Sequence, residues 1–273
     1  MVLYFIGLGL GDEKDITVKG LEAVKRCKKV YLESYTSILT TNKSKLESLY
    51  GKEVIEADRI FVESGCEGML TEAINDEIAF LVVGDPFCAT THADLFLRAN
   101  ELGVQVQTIH NASIFTAVGL TGLQLYKFGE TVSIPFFTEN WRPYSFYDKI
   151  NRNLEKKLHT LVLLDIKVKE QSEEDLIRGR MIFQPPRFMN VSQACQQLLE
   201  AEDNLKHGSI TPETLVFGVL RVGAPDQKIV VRSIRQFSQS EDLGGPLHSM
   251  VIPGEVDEIE RLMMGYHQAR SEM

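Results

Sequence analysis

The stretch from residue 77 to residue 83 constrains the fold of this chain most strongly, because six of its seven residues are apolar. It is followed by Gly84-Asp85-Pro86, which is a typical turn sequence. A short apolar run bounded by turn residues is typical of a central parallel strand whose two faces are both covered by helices. The sequence therefore predicts an α/β protein with a parallel sheet at this point of the chain.

Strand-like and helix-like patterns alternate through the first 112 residues. The predicted strands are residues 3–6, 29–33, 53–56, 77–83 and 104–109, and the predicted helices are residues 17–26, 44–50 and 91–102. In the first of these helices, Thr17 can act as the amino-terminal cap. Alternation of strands and helices predicts a doubly wound parallel sheet.

The pattern changes after residue 112. The predicted helices there are residues 114–125, 145–157 and 192–206, the last capped by Ser192, and the predicted strands are 131–137, 160–166, 214–221 and 229–234. Consecutive strands near the end indicate a mixed sheet, and the polar last dozen residues are expected to fray. We therefore predict two α/β domains, 1–112 and 113–273, with a cofactor cleft between them.

Composition and charge argue against several classes of protein. The chain has 273 residues and a net charge of -9, which argues against a nucleic-acid-binding protein that relies on counterion release. No apolar stretch approaches the roughly 20 residues of a membrane span, and the amino terminus reads as a first strand. The four cysteines are irregularly spaced, without a Cys-x-x-Cys pair, so we expect no metal site and a cytoplasmic location.

Three glycines at alternate positions, Gly7, Gly9 and Gly11, follow the first strand and predict a turn that a ligand can approach. An ordinary strand-to-helix turn is the other interpretation. A dinucleotide-binding turn would have glycine where this chain has Asp12, whose charge would repel phosphates. Asp12 and Glu33 better suit a cofactor with a ribose, a positive charge and no phosphate, such as S-adenosylmethionine. A nicotinamide-dependent dehydrogenase is disfavoured but stays an alternative.

Asp85 follows the predicted central strand, at the edge of the sheet where ligands of parallel α/β proteins bind. Its carboxylate could pair with a positively charged part of a cofactor. Alternatively, it is a turn residue that caps the helix predicted to start near Thr91. Spacing alone does not distinguish these two interpretations. We expect His92 to form local hydrogen bonds and not to be catalytic.

A set of motifs spanning almost the whole chain resembles the motifs of diphthine synthases. The matching segments are GLGLGDEKDITVKGL from residue 7, ESYTS from 33, GDPF from 84, ATTH from 89, HNASI from 110, GLQLYKFG from 122, LLDIKVKEQ from 163, RVGA from 221 and PLHS from 246. The glycines and Gly-Asp-Pro are shared with the wider superfamily of tetrapyrrole methylases. The order of the whole set is more specific than any single motif.

The resemblance implies two α/β domains, S-adenosylmethionine in the cleft between them, and a homodimer. Carried over motif by motif, the cofactor-binding residues are expected to be Leu10, Asp85, Cys88, Ser113, Ile114, Leu164, Val222 and His248. Position 88 is usually glycine in this family, and a contact through the backbone would tolerate the small side chain of Cys88. The resemblance identifies no catalytic residue.

The resemblance also implies a protein substrate, elongation factor 2, whose modified histidine carries an aminocarboxypropyl group. Eukaryotic members are associated with three methylations on nitrogen and one that forms an ester, whereas archaeal members stop at three, and this chain is similar to the eukaryotic type. A fraction of the acceptor amine is neutral at cytosolic pH, so no dedicated general base is expected.

Two alternatives stay open within this interpretation, namely a tetrapyrrole methyltransferase of the same superfamily and a non-catalytic scaffold associated with translation. A cationic region of an otherwise acidic chain is a hypothetical docking surface for elongation factor 2, although a solvated charged face is an equal alternative. It consists of Trp141, Arg142, Pro143, Lys167, Lys169, Arg178, Arg180 and Arg187.

Overall fold

The computed structural model describes residues 1–39, 41–171, 173–180, 182–240 and 243–271. The chain divides into two compact units: the first contains Met1–Ile114 and Gly223–Pro225, and the second contains Phe115–Val222 and Asp226–Met273. These units are defined by the contacts within each part of the chain and do not test where folding domains begin and end. The predicted domain boundary at residue 112 therefore stays a prediction. Within the described ranges, none of the helices is both long enough and apolar enough to cross a bilayer.

The first unit contains a five-stranded parallel sheet, which confirms the predicted fold class. Its strands, in the order β3-β2-β4-β1-β5, are β1 (Val2–Gly7), β2 (Lys29–Glu33), β3 (Val54–Ala57), β4 (Ile78–Val82) and β5 (Gln105–Ile109). The apolar stretch that dominates the sequence forms β4 at the centre of the sheet. Every residue of β4 is buried, as expected for a strand covered on both faces.

Helices supply the apolar side chains that pack on this sheet. They are α1 (Val18–Arg26), α2 (Lys43–Tyr50), α3 (Glu67–Asn75) and α4 (Ala93–Glu101). Because successive side chains of a strand point to opposite faces, Phe80 lies in one buried cluster with residues of α3 and α4. Its neighbours Ala79 and Leu81 lie in a second cluster with residues of α1 and α2. This arrangement is the doubly wound architecture that the sequence predicts.

Local capping agrees with prediction at α1 but the patterns do not predict α3. The Thr17 hydroxyl accepts a hydrogen bond from the Gly20 N–H at 3.0 Å, so Thr17 caps α1. A π-helical turn, Phe61–Gly65, precedes α3. The sequence patterns predict no element for residues 57–76, where packing of Met69 and Leu70 in the buried cluster stabilises the helix.

The second unit contains a mixed five-stranded sheet, which confirms the second part of the predicted fold class. Its strands, in the order β11-β10-β12-β7-β6, are β6 (Val132–Ile134), β7 (Thr160–Leu164), β10 (Leu215–Leu220), β11 (Lys228–Ser233) and β12 (His248–Ile252). β6 and β7 are parallel, and the other neighbours are antiparallel. A separate hairpin pairs β8 (Ile166–Lys167) with β9 (Arg187–Phe188).

The helices of the second part of the chain correct two predictions. They are α5 (Ile114–Ala117), α6 (Ser145–Glu155), α7 (Glu173–Ile177), α8 (Val191–Leu205), α9 (Ile234–Ser238) and α10 (Glu258–Ser271). The single helix predicted for residues 114–125 is wrong, because α5 is followed by a 3₁₀ turn that ends at Gly122 with φ of +83°. The cap of α8 is Asn190 and not Ser192, because Asn190 and Gln193 form a reciprocal capping box.

The carboxyl-terminal segment also differs from prediction. The polar residues expected to fray form most of α10, apart from Glu272 and Met273, which lie outside the described residues. His267 of α10 is buried and hydrogen-bonds to the carbonyl of Leu120 at 3.2 Å. The buried Glu260 and His267 therefore anchor α10, whereas Ile259, Leu262 and Tyr266 of the same helix are exposed.

Candidate functional site

Five predicted site residues lie beyond the carboxyl ends of three neighbouring strands in the first unit. In the turns after β1, β4 and β5 respectively, they are Leu10, Asp85 with Cys88, and Ser113 with Ile114. β1 pairs in parallel with β4 on one side and with β5 on the other, so the three turns lie at one edge of the sheet. This edge is where open α/β sheets bind ligands.

Two of these turns are joined through glycines. The Gly9 N–H donates to the Gly84 carbonyl at 3.2 Å, and the Gly84 N–H donates to the Gly9 carbonyl at 2.7 Å. Their φ angles are +75° and +78°, in the region that favours glycine. A Cβ on Gly7 would lie 2.6 Å from the Gly84 oxygen. Packing of one turn on the other therefore explains these glycines, and they do not by themselves indicate a ligand.

The two carboxylates expected to suit a cofactor ribose and charge stabilise their own turns instead. Glu33 is 1% exposed and accepts hydrogen bonds from the Tyr35 N–H, the Thr36 N–H and the Thr36 hydroxyl, all within 2.8 Å. Burial raises the pKa of Glu33, although these hydrogen bonds act in the opposite direction. Asp12 accepts from the Lys14 N–H at 2.9 Å. The contacts of Asp12 and Glu33 therefore do not support the argument that these residues suit a cofactor with a ribose and a positive charge.

Asp85 is held by three hydrogen bonds. Its Oδ1 accepts from the Phe87 N–H at 3.0 Å, and its Oδ2 accepts from His110 Nδ1 at 2.7 Å and from the Asn111 N–H at 3.2 Å. Burial alone would raise the pKa of Asp85, but these hydrogen bonds outweigh burial and lower it. These partners of Asp85 lie outside α4, whose cap residue His92 forms no side-chain capping bond, so the interpretation of Asp85 as that cap is wrong.

His110 is the partner of Asp85 that the sequence analysis did not single out. The His110 side chain is 71% exposed, whereas the Asp85 side chain is 7% exposed. The position of His110 in the sequence could have identified it. It directly follows β5, which borders β1 as β4 does, so its side chain lies at the same sheet edge as Asp85. The structure thus adds an exposed imidazole to the predicted site.

Cys88 and His92 lie in the segment that follows Asp85. The Cys88 thiol is free and half-buried, and its backbone is outside the left-handed region, which the next residue, Ala89, occupies with φ of +58°. A side chain at position 88 therefore causes no backbone strain. His92 is fully buried and donates from Nδ1 to the Pro86 carbonyl at 2.9 Å, and burial lowers the pKa of His92. Its local role agrees with the prediction.

The remaining three predicted residues lie at one edge of the sheet in the second unit. Leu164 is the last residue of β7, Val222 follows β10, and His248 is the first residue of β12. Because β12 lies between β10 and β7 and runs antiparallel to both, its start and their ends share an edge. Leu164 also belongs to the buried apolar cluster of this unit, so packing alone would account for it.

His248 presents a buried acceptor at this edge. It is 6% exposed, and its Nε2 donates to the Gly245 carbonyl at 2.9 Å. That bond assigns the proton to Nε2 and leaves Nδ1 as an acceptor, which has no hydrogen-bond partner among the described residues. Burial lowers the pKa of His248, although the bond to Gly245 acts in the opposite direction. An unsatisfied buried acceptor suits a ligand that carries hydrogen-bond donors.

Arg221 holds the loop that leads to His248, and the sequence analysis did not assign it this role. Its Nη1 donates to the carbonyls of Leu243 and Gly245 at 2.9 and 3.1 Å, and its Nε donates to the Asp226 carboxylate at 2.6 Å. Its backbone N–H donates to the Leu247 carbonyl at 2.8 Å. One guanidinium therefore fixes the position of the segment before β12, which a planar group with several donors can do.

Comparison with known proteins identifies the family. Residues 2–238 match the family model of Tetrapyrrole (Corrin/Porphyrin) Methylases. The diphthine methyl ester synthase of Aspergillus fumigatus is 57% identical over 262 residues, which is 96% of this chain and 92% of that protein. The Homo sapiens diphthine methyl ester synthase is 58% identical over 257 residues, or 93% and 90% of the two chains. This chain belongs to the diphthine methyl ester synthase family.

Solved structures agree with membership of the diphthine methyl ester synthase family. A crystal structure of a diphthine synthase superposes with a TM-score of 0.84 at 31% identity, covering 100% of this chain and 99% of the other. A candidate diphthine synthase from Entamoeba histolytica gives 0.86 at 46% identity, covering 98% of each chain. The chain is therefore an enzyme that transfers methyl groups.

The cationic region that the sequence analysis suggested as a docking surface has most of its positive charges paired with nearby carboxylates. Carboxylates lie within 4 Å of five of its cations, in the pairs Arg142–Glu200, Lys167–Asp165, Arg178–Glu174, Arg180–Asp175 and Arg187–Glu170. Paired surface charges of this kind favour the interpretation as a solvated face.

In the part of the chain that the structure describes, no group of three His, Cys, Asp or Glu residues could hold a metal ion.

Proposed function

We propose that this chain uses S-adenosylmethionine to methylate the aminocarboxypropyl-histidine of elongation factor 2 in diphthamide biosynthesis. Three methyl groups go to the amine and one forms an ester with the carboxylate. The observation that carries this proposal is the identity of 57–58% with diphthine methyl ester synthases over more than nine-tenths of the chain. Their name supports the ester product in particular.

The residues at the two sheet edges suit S-adenosylmethionine. That molecule carries hydrogen-bond donors on its adenine, ribose and ammonium groups, and the unsatisfied Nδ1 of buried His248 is an acceptor for one of them. The ionised Asp85 supplies a fixed negative charge that complements a cationic ligand. We propose that the cofactor is held by the predicted set Leu10, Asp85, Cys88, Ser113, Ile114, Leu164, Val222 and His248.

When bound, S-adenosylmethionine supplies an activated methyl group on a sulfonium. The task of the chain is then to hold the acceptor nitrogen or oxygen in line behind that methyl carbon and to exclude water, and such placement supplies much of the acceleration. Ordered turns suit this task, since Asp85 and Gly84 are each fixed by hydrogen bonds at the sheet edge.

We also propose that the protein forms a homodimer and acts in the cytoplasm.

A second candidate is methylation of a tetrapyrrole, which the description of the matching family model favours. It would keep the fold and the cofactor and would change the acceptor. Such an enzyme would methylate a small molecule in the absence of any protein substrate.

Mass spectrometry of elongation factor 2 tests the proposal. The factor is purified from cells that lack the endogenous methyltransferase and is incubated with this protein and S-adenosylmethionine. A gain of four methyl groups is expected, and a gain of three would limit the activity to nitrogen once ester hydrolysis during handling is excluded. No gain, beside an active family member as positive control, would contradict the proposal. A reaction without S-adenosylmethionine is the blank.

A further inference from the structure

The first unit contains an aspartate–histidine pair in which the aspartate is buried and the imidazole is open to solvent. Asp85 Oδ2 and His110 Nδ1 are 2.7 Å apart, and the side chains are 7% and 71% exposed respectively. Because an ionised carboxylate can only accept, His110 Nδ1 must donate, and the lone pair of His110 lies on the exposed Nε2. A neutral imidazole in this tautomer is equipped to accept a proton at Nε2.

The pair is fixed from both sides. Asp85 is held by the Phe87 and Asn111 N–H groups, so its carboxylate has a defined direction. Asn111 donates from its side-chain amide to the carbonyls of Gly7 and Asp15, both at 2.9 Å, which anchors the backbone next to His110. A histidine oriented by a buried aspartate, and exposed on its other nitrogen, is the arrangement of a general base.

The pair also lies in the right place. It joins the turn after β4 to the end of β5, at the sheet edge that carries Leu10, Cys88 and Ser113. The other charged groups on the turn after β1 are Asp12, Glu13, Lys14 and Asp15. Asp12 and Asp15 accept bonds from backbone N–H groups, and Glu13 accepts from the Thr41 hydroxyl. Among the described residues, Asp85 is the only carboxylate within ion-pair distance of His110.

We propose that His110 is the general base that removes the proton from the acceptor amine, with Asp85 as the residue that positions it. This proposal revises the expectation that no dedicated base is needed, because most of an amine with a pKa near 8 is still protonated at pH 7. The inference rests on the proposed function. In each nitrogen methylation, His110 Nε2 takes a proton from the ammonium, and the freed lone pair forms the new N–C bond. The S–C bond breaks with its electron pair staying on sulfur, which leaves a thioether. His110 then returns the proton to solvent before the next transfer.

The chemistry of the acceptor makes this role specific to three of the four transfers. The ammonium forms of the primary, secondary and tertiary amines each carry a proton that must leave before the nitrogen can attack. The carboxylate carries none near neutral pH, since its pKa is about 4 or lower, so ester formation needs no base. Loss of His110 must therefore slow the three nitrogen methylations and leave the fourth transfer intact. A purely structural role would slow all four.

The test compares His110→Gln with His207→Gln. His207 also pairs with an aspartate, Asp148, at 3.1 Å, but on the surface of the second unit, so it is a matched control. Two substrates are used: elongation factor 2 with the unmethylated group, and the factor that already carries three N-methyl groups, obtained by mild hydrolysis of the ester product. Rates are followed as released S-adenosylhomocysteine, because the ester itself is labile in base.

For His110→Gln we expect about 10- to 100-fold slower methylation of nitrogen at pH 7 and an unchanged rate of ester formation. The effect lies at the lower end of what general bases supply, because a fraction of the amine is already neutral at this pH. The defect must shrink at pH 9, because an α-amino group with a pKa near 8 is then deprotonated by solvent. Binding of S-adenosylhomocysteine, measured by calorimetry, is expected to stay within twofold. His207→Gln is expected to match the wild type on both substrates.

The outcomes separate the inference from the proposed function. If the wild type methylates the factor and His110→Gln does so equally fast on both substrates, or is slowed equally on both, the assignment of a base is wrong while the function stands. If the wild type itself transfers no methyl group beside an active family member, both fall together. Unchanged thermal unfolding of His110→Gln, expected for so exposed a side chain, excludes misfolding as the cause of a defect.

Discussion

His159 and Glu260 form a fully buried pair in the second unit, with His159 Nε2 3.1 Å from Glu260 Oε1 and both side chains at 0% exposure. The Gly254 N–H donates to His159 Nδ1 at 3.0 Å, which fixes the proton on Nε2 and makes it the donor to Glu260. Glu260 also accepts from the Gln124 and Asp257 N–H groups and from Lys127, all within 3.0 Å. The Glu260 carboxylate thus connects the start of α10 to His159, which directly precedes β7, and to Gln124 and Lys127, which precede β6.

We expect Glu260→Gln to lower the free energy of unfolding by about 3 kcal/mol, because it leaves Lys127 and several N–H groups with a weaker acceptor. Urea denaturation measures this change. Glu255→Gln is the control, since Glu255 pairs with Lys157 at 3.1 Å on the surface, with both side chains more than 60% exposed. Its effect should be within about 0.5 kcal/mol. Equal effects of the two variants would contradict the prediction.

The same carboxylate predicts how stability depends on pH. Burial alone would raise the pKa of Glu260, but its hydrogen bonds outweigh burial and lower it from 4.5 to about 2. A lowered pKa contributes stability that is fully present above pH 4.5 and is lost as the pH falls toward 2, on the order of 3 kcal/mol. The stability difference between the wild type and Glu260→Gln should therefore be constant from pH 5 to pH 7 and should shrink below pH 4.5. A difference at pH 3 that is as large as the difference at pH 7 would exclude this origin.

The first sheet could be predicted because its signals are local. The apolar run of β4 is bounded by turn residues, and Thr17 caps α1 through a bond to a residue three positions away. By contrast, β12 was not predicted although glycines and prolines bound it on both sides, because its apolar run is only three residues long and its partners β10 and β7 lie far away in sequence. The buried residues of α10, Glu260 and His267, are both polar, so apolar periodicity does not reveal the face of this helix that packs.

The site was predicted only in part for the same reason. The family motifs placed Asp85, but its bond to His110 joins residues 25 positions apart and exists because β4 and β5 both border β1. The bonds from Arg221 to the carbonyls of Leu243 and Gly245 span more than 20 positions and depend on the fold of that loop. Glu33 was misjudged because a strand-end carboxylate can equally well accept bonds from its own turn.

Gly7→Ala should destabilise the protein by about 1–3 kcal/mol, because its Cβ would lie 2.6 Å from the Gly84 oxygen and 2.8 Å from the Asn111 Cβ. The control is Gly68→Ala, since Gly68 lies in α3 with no heavy atom within 4 Å of the added Cβ. That change should be neutral or should stabilise the protein by about 0.5–1 kcal/mol. Thermal unfolding of both variants measures the contrast, and a neutral Gly7→Ala would show that the two turns can separate without cost.

Arg221→Lys should weaken binding of S-adenosylhomocysteine about tenfold, because an ammonium cannot reproduce the bonds that hold the loop before His248. Isothermal calorimetry measures the affinity. Arg235→Lys is the matched control, because Arg235 donates through two nitrogens to the exposed Glu213. It should bind like the wild type. If Arg221→Lys also binds normally, then the order of this loop does not matter for the cofactor.

Cys88→Gly, which introduces the glycine that the resemblance to diphthine synthases implies at this position, should change the affinity for S-adenosylhomocysteine by less than about twofold. The reason is that the backbone at Cys88 lies outside the left-handed region, so the thiol neither strains the turn nor replaces a conformation that only glycine adopts. Cys88→Phe should weaken binding at least tenfold if residue 88 faces the cofactor, because the half-buried position has little spare room. A tenfold gain in affinity for Cys88→Gly would mean that the thiol occupies space that the cofactor needs, and this chain would then be a weaker binder than relatives with glycine there.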